Sequence, residues 1–92
     1  MDTEQILRTL ELYETRLKDT GVQAVAMNPS RTFGSLSQPE ILAHAHYLIQ
    51  GAKEMAQQAE KWGKVNRHLA SIQMCLSFAN WYTLEELKGH NR

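Results

Sequence analysis

Ser37-Gln38-Pro39-Glu40-Ile41-Leu42-Ala43-His44-Ala45-His46-Tyr47-Leu48-Ile49-Gln50-Gly51-Ala52-Lys53-Glu54-Met55-Ala56-Gln57-Gln58-Ala59-Glu60-Lys61-Trp62-Gly63 is the stretch whose reading decides the fold. Its first four residues form a capping box: Ser37 at the N-cap, Glu40 at N3, and proline tolerated in the first turn. From there Ile41, Ala45, Leu48, Ala52, Met55, Ala59 and Trp62 recur at alternating spacings of four and three. That period is helical and excludes a strand. Size alternates as well as polarity. Ile41, Leu48, Met55 and Trp62 form one row, and Ala45, Ala52 and Ala59 form the row beside it, while Leu42, Ile49 and Ala56 broaden the stripe. A row of alanines lets a neighbouring helix approach towards the short end of the usual 8–10 Å spacing. The reading is a long helix packed closely on a partner, with Gly63 ending or bending it.

The partner follows in sequence. A helix expected from about Lys64 to Trp81 has the seam Val65, Leu69, Ile72, Leu76 and Ala79, with Met74, Cys75, Phe78 and Trp81 on another side. No Asp, Glu, Lys or Arg occurs from His68 through Leu84. A helix apolar on two sides is usually buried between layers, and one layer here is expected to be another copy of the chain. Asn66, Gln73 and Asn80 form a polar row between the apolar sides. Thr83-Leu84-Glu85-Glu86 is a second capping box, opening a short helix with Tyr82 and Leu87 at the spacing of a hydrophobic staple. Gly89 suits its C-terminal end, which leaves His90-Asn91-Arg92 as a tail.

Upstream, a helix from about Glu4 to Thr20 is capped by Asp2 or Thr3, and Gly21 supplies the left-handed residue after it. Ile6, Leu10, Tyr13 and Leu17 form its seam, and Leu12 points away. Residues 21–38 are irregular, with Val22 to Met27 either a short helix or extended, and Asn28-Pro29 a break. The expected architecture is therefore all-α: one small helical bundle over residues 1–92, with two long packed helices, an N-terminal helix and a short C-terminal helix, assembled as a homo-oligomer.

Composition removes several function classes. Ten Lys+Arg balance ten Asp+Glu in 92 residues, which argues against an electrostatic binder of duplex nucleic acid. The single Cys75 excludes an intrachain disulfide and a cysteine-based zinc site. His44 and His46 are two apart on a helix, so they point to different sides and cannot share an ion there. No metal or other cofactor is expected. Nucleophile-elbow, Walker and dinucleotide motifs do not occur, nor do clustered carboxylates, so an enzyme is not expected. No run approaches the roughly 18 apolar residues of a membrane span, and the acidic start lacks a leader pattern, so a cytoplasmic protein is expected.

Two clusters invite a ligand instead. Lys61, Lys64 and Arg67 lie around Gly63 at the expected start of a helix, where cations oppose the dipole unless an anion binds. Trp62 offers a face for stacking. Ser30-Arg31-Thr32-Phe33-Gly34-Ser35 combines hydroxyls, a guanidinium and an aromatic ring, a set suited to phosphate or ribose. Asn66 and Gln73 could read the polar edge of a base. The candidate ligand site is thus Arg31, Phe33, Trp62, Lys64, Asn66, Arg67 and Gln73. Solvated cations, a core tryptophan and structural amides are the plain alternative for the same residues.

The pattern Lys64-x-Asn66-Arg67-x-Leu69-x-x-Ile72-Gln73-x-x-Leu76, followed by Tyr82-Thr83-Leu84-Glu85-Glu86-Leu87-Lys88-x-His90-Asn91-Arg92, resembles the ending of a group of short bacteriophage-encoded proteins. His68 stands where that group more usually has an aromatic residue. The group is largely of unknown function, so the resemblance implies no catalytic residue. It implies an accessory protein acting in the host cytoplasm against host defence. Such a protein either sequesters a nucleotide immune signal or docks on a host protein and inhibits it; for the second, Leu12 and the Met74–Phe78–Trp81 side are the expected contact.

Overall fold

The computed structural model describes residues 2–91. Among them are four α-helices and no strand: α1 Thr3–Asp19, α2 Gln38–Met55, α3 Trp62–Phe78 and α4 Leu84–His90. Single turns of 3-10 helix occur at Phe33–Ser35 and Ala59–Lys61. The all-helical expectation holds. Met1 and Arg92 lie outside the described residues.

Helix boundaries follow local chemistry. Asp2 caps α1 reciprocally with Gln5, Ser37 caps α2 with Glu40, and Thr83 caps α4 with Glu86. Two helices close in the same way at the other end. After α1, Gly21 adopts φ 80°, its N–H donates to the Lys18 carbonyl at 3.0 Å, and Val22 N–H reaches the Leu17 carbonyl at 2.9 Å. After α3, Asn80 adopts φ 65°, its N–H donates to Ser77 at 2.9 Å, and Trp81 N–H reaches Leu76 at 2.9 Å. Both are Schellman closures, and asparagine is the residue after glycine that best tolerates the left-handed position. Asn80 therefore ends α3 three residues earlier than the sequence pattern suggests, and it does not belong to a base-reading row.

Helix α2 also stops early, at Met55, so the long helix expected to reach Gly63 is two elements. Ala56 caps it, and the chain turns before α3 starts at Trp62. Ala59 is exposed in the intervening turn, so the alanine row is Ala45 and Ala52 alone, both fully buried. The stripe is also rotated beyond its first turn: Ile41 is buried as expected, but so are Leu42, Ala45, Ile49, Ala52 and Ala56, whereas Leu48 and Met55 are half-buried at its edge. The short turn folds α3 back along α2, and Gln38 Nε2 at the start of α2 donates to the Ala79 carbonyl at the end of α3. Val65, Leu69, Ile72 and Leu76 are buried in the same core as the α2 alanines, and the α2–α3 contact is the most extensive between helices among the described residues.

Helix α1 covers the opposite side of this pair with Ile6, Leu10, Tyr13 and Leu17, each fully buried. Glu14 accepts from Lys53 Nζ of α2 at 3.1 Å and lies 3.7 Å from Lys18. Residues His90 and Asn91, read from sequence as a tail, are the end and cap of α4, half-buried and exposed respectively, and their side chains bond to the core. Tyr13 Oη is 2.8 Å from His90 Nδ1, and Gln73 Nε2 donates to Tyr13 Oη at 3.0 Å and to Asn91 Oδ1 at 2.7 Å. Burial pushes the Tyr13 phenol up to about 12, so it stays neutral and bridges three helices.

Candidate binding face on the third helix

The seven residues expected to hold a ligand fall into three places. Trp62, Lys64, Asn66 and Arg67 occupy the start of α3. Arg31 lies at the start of α2, paired with Glu40, and Phe33 lies against His44 of α2 and over the middle and end of α3, beside Ala70, Ser71, Met74 and Phe78. Gln73 faces inward to α1 and Asn91. Within one chain the structure does not bring these groups into a single pocket.

Several are already occupied. Arg31 pairs with the Glu40 carboxylate and donates to the Ser35 carbonyl and hydroxyl, which folds the 28–36 segment onto the start of α2. Trp62 is half-buried against the core, between Ile6, Met55 and Val65. Asn66 Nδ2 donates to the Trp62 carbonyl at 2.9 Å. Both ends of the Gln73 amide are used, since its oxygen also accepts from Asn91 Nδ2 at 3.3 Å. These four have structural work. Lys64 and Arg67 are exposed and, among the described residues, lack an ion-pair partner. Arg67 folds back over Gly63, with Nη1 3.6 Å from where a Cβ there would stand. No side chain caps α3, and its first turn holds no acidic residue.

The outward face of α3 contains what sequence reasoning had divided differently. Lys64, Arg67, Ser71, Met74 and Phe78 follow at spacings of three, four, three and four, so they form one stripe. Its first half is basic and its second half apolar. Met74 is 45% exposed and Phe78 62%. Phe33, 42% exposed, stands beside them across a shallow groove of about 400 Å³ floored by Ala70, Ser71 and Cys75. Of the two residues expected on the same side as Met74 and Phe78, Cys75 lies in the floor of this groove and Trp81 is elsewhere. Cys75 is buried, and desolvation pushes its thiol up to about 11, which makes it a poor nucleophile. Trp81 lies beyond the helix end, with the Arg16 guanidinium 4.3 Å over its ring.

Phe33 owes its position to a strap held on α2. Residues 22–27 are neither helix nor strand; they run beside α2 and are tied three times. His46 Nδ1–H donates to the Val22 carbonyl at 2.8 Å, Val25 N–H donates to the Ala43 carbonyl at 3.1 Å, and Met27 N–H donates to His44 Nδ1 at 3.1 Å. The two histidines that cannot share an ion thus hold the strap at its two ends. The His44 ring then stacks with Tyr47 at 5.9 Å and meets Phe33 at 5.7 Å.

Burial lowers the His44 pKa from 6.5, and the structure explains the direction: a protonated Nδ1 would face the Met27 N–H, donor against donor. The folded state therefore prefers neutral His44. Its contribution is complete above pH 6.5 and is lost as pH falls through the lower folded value. The carboxylates of Glu14, Glu40 and Glu86 have pKa values lowered from 4.5, so their contributions are lost only below that pH. Urea midpoints are expected to fall between pH 6.5 and 4.5 in the natural chain and to fall less steeply in His44→Gln. Equal slopes in both proteins would refute this.

Among the described residues, no group of three or more His, Cys, Asp or Glu is placed to hold a metal, and no helix is long and apolar enough to cross a membrane. Comparison with protein-family models, with curated proteins and with solved structures finds no match to this chain. Function must therefore be argued from the outward face of α3 itself.

Proposed function

We propose that this protein acts by binding and not by catalysis, holding a phosphorylated small ligand of the nucleotide class and withdrawing it from solution. The observation that carries the reading is the pair Lys64 and Arg67: two exposed cations with no acidic partner, at the uncapped start of a 17-residue helix. Without an anion this arrangement costs some tenths of a kcal/mol per charge against the helix dipole. A phosphate would reverse the sign and would meet both side-chain cations together. Phe33 and Phe78 are the exposed aromatic surfaces that this face offers a base. Arg31, Trp62, Asn66 and Gln73 are left out of the proposed contact because their polar groups or faces are used within the fold. The resemblance to phage proteins sets the biological frame, an anti-defence sponge in a host cytoplasm.

The test is a thermal-shift series with inorganic phosphate and with linear and cyclic nucleotides. A ligand at a hundredfold excess over its Kd stabilises the native state by about 2.7 kcal/mol, a rise of several degrees in Tm. Arg67→Ala is expected to abolish the shift while leaving the unliganded Tm unchanged. A flat response to every nucleotide would overturn the proposal. Recovery of one host protein on immobilised chain, with that flat response, would assign the same face to inhibitory docking on a host partner.

A further inference from the structure

We infer that the outward face of α3 pairs with the same face of a second copy, antiparallel and about a two-fold axis near Ser71. The inference rests on the proposed ligand reading for its consequence, but its evidence is separate. Ser71 is midway between Lys64 and Phe78. An axis there sets Lys64 of one copy opposite Phe78 of the other, and Arg67 opposite Met74, Cys75 and their neighbour Phe33. Each basic half then covers an apolar, aromatic half, and guanidinium and ammonium groups are favoured over aromatic faces.

Charge selects this direction over its reverse. In an antiparallel pair the two Arg67 side chains are about eight residues apart along the helix, roughly 12 Å, and the two Lys64 side chains about 21 Å. Both separations exceed the Debye length of about 8 Å at physiological salt. A parallel pair would stack like charges on one another. Lys64 and Arg67 are the only charged side chains on the stripe, no charged residue occurs from His68 through Leu84, and the whole chain has no net charge to repel a copy.

Shape and area agree with a second copy. Ala70 and Ser71 are exposed and small, so the middle of the face is a hollow, and Met74 and Phe78 are the projections at one end. Under the two-fold axis the two hollows face each other, which lets the helices approach closely there, and each copy's Met74 lies beside the other's Arg67 and His68. An aromatic side chain presents about 150–250 Å², so half-exposed Phe33, Met74 and Phe78 offer on the order of 300 Å². Specific interfaces bury roughly 800 Å² per partner, a little over half of it non-polar. The three side chains supply most of that apolar share. The stems of Lys64 and Arg67, with Ala70, supply the remainder. The pairing closes the distance that separates the two candidate clusters in a single chain: Lys64 and Arg67 of one copy meet Phe33 of the other, so each half-site is completed by the second copy.

Sedimentation equilibrium of the full chain, from low micromolar upward, tests this. A reversible monomer–dimer equilibrium is expected, with Phe78→Asp and Met74→Glu each weakening dimerisation at least tenfold. Arg67→Glu, a change at an exposed position, is expected to weaken it as well, and Leu12→Asp on the far side is not. Circular dichroism of each variant shows whether the fold is kept; a variant that does not fold is replaced in the reading by the other two. A chain that stays monomeric at about 1 mM overturns the inference, as does a dimer indifferent to all three substitutions. The two proposals fail separately. A monomer whose Tm still rises with a nucleotide leaves ligand binding standing without the pair, and a dimer with no nucleotide response does the reverse.

Discussion

Tyr13→Ala is expected to destabilise the protein by about 3–5 kcal/mol, the usual cost of removing a buried aromatic side chain. A chain of 92 residues has a total stability of about 5–14 kcal/mol at 0.05–0.15 kcal/mol per residue, so the variant is expected to keep about 0–11 kcal/mol and to melt at a markedly lower temperature. Two losses combine. The ring is fully buried, 5.6 Å from Tyr82 and 5.5 Å from His90, and its removal leaves a void between α1 and α4. Its hydroxyl accepts from Gln73 and lies within hydrogen-bond distance of His90, so truncation strips both of a partner. Tyr13→Phe separates the two, retaining the ring and costing about 1–3 kcal/mol for the orphaned amide and imidazole. Urea unfolding of the three proteins checks the order. A Tyr13→Phe variant as stable as the natural chain would show that the hydroxyl network contributes nothing.

The second large effect concerns the row on which α2 and α3 approach. Ala52→Leu is expected to cost about 1–3 kcal/mol, because a side chain with three more carbons has no space at a fully buried position between closely packed helices. Ala59→Leu, one heptad further along the same apparent row, is expected to change stability by no more than about 0.5 kcal/mol, since Ala59 is exposed in the turn. The contrast between the two, read from melting curves, tests whether the row is interrupted after Ala56. Equal costs would mean that the α2 seam runs on through Ala59.

That interruption shows where sequence pattern stops being informative. The class of fold, the capping boxes of α2 and α4 and the seam of α1 were legible because they depend on contacts within a few residues. The end of α2 was not, because the period of four and three continues through Ala59 and Trp62 with no glycine or proline until Gly63. Two apolar rows of similar hydrophobicity also left the rotation of α2 open; the close approach at Ala45 and Ala52 decides it, and that is a tertiary effect. Asn80 and Gln73 shared a spacing of seven with Asn66 but not a role. One ends a helix in the left-handed region, one satisfies a buried network, and one bonds to its own helix.

The candidate site was partly legible for the same reason. Lys64 and Arg67 were identified because helix-terminal electrostatics is local. Their distance from Arg31 and Phe33 was not, since it depends on how an 18-residue connection is laid along α2. Nor was the pairing of Arg31 with Glu40, nine positions away. The stripe Arg67, Ser71, Met74 and Phe78 was present in the spacing, but an uncharged run offers no sign of which side water will see.

Helix α4 has only seven residues, far fewer than an isolated helix needs to persist in water. Its survival depends on the anchorage of Leu87, His90 and Asn91 to the rest of the molecule, above all at Tyr13 and Gln73. The outermost segment of the fold therefore works as a gauge of its interior: any slackening between α1 and α3 is felt first as the peeling of α4, well before the paired α2 and α3 part.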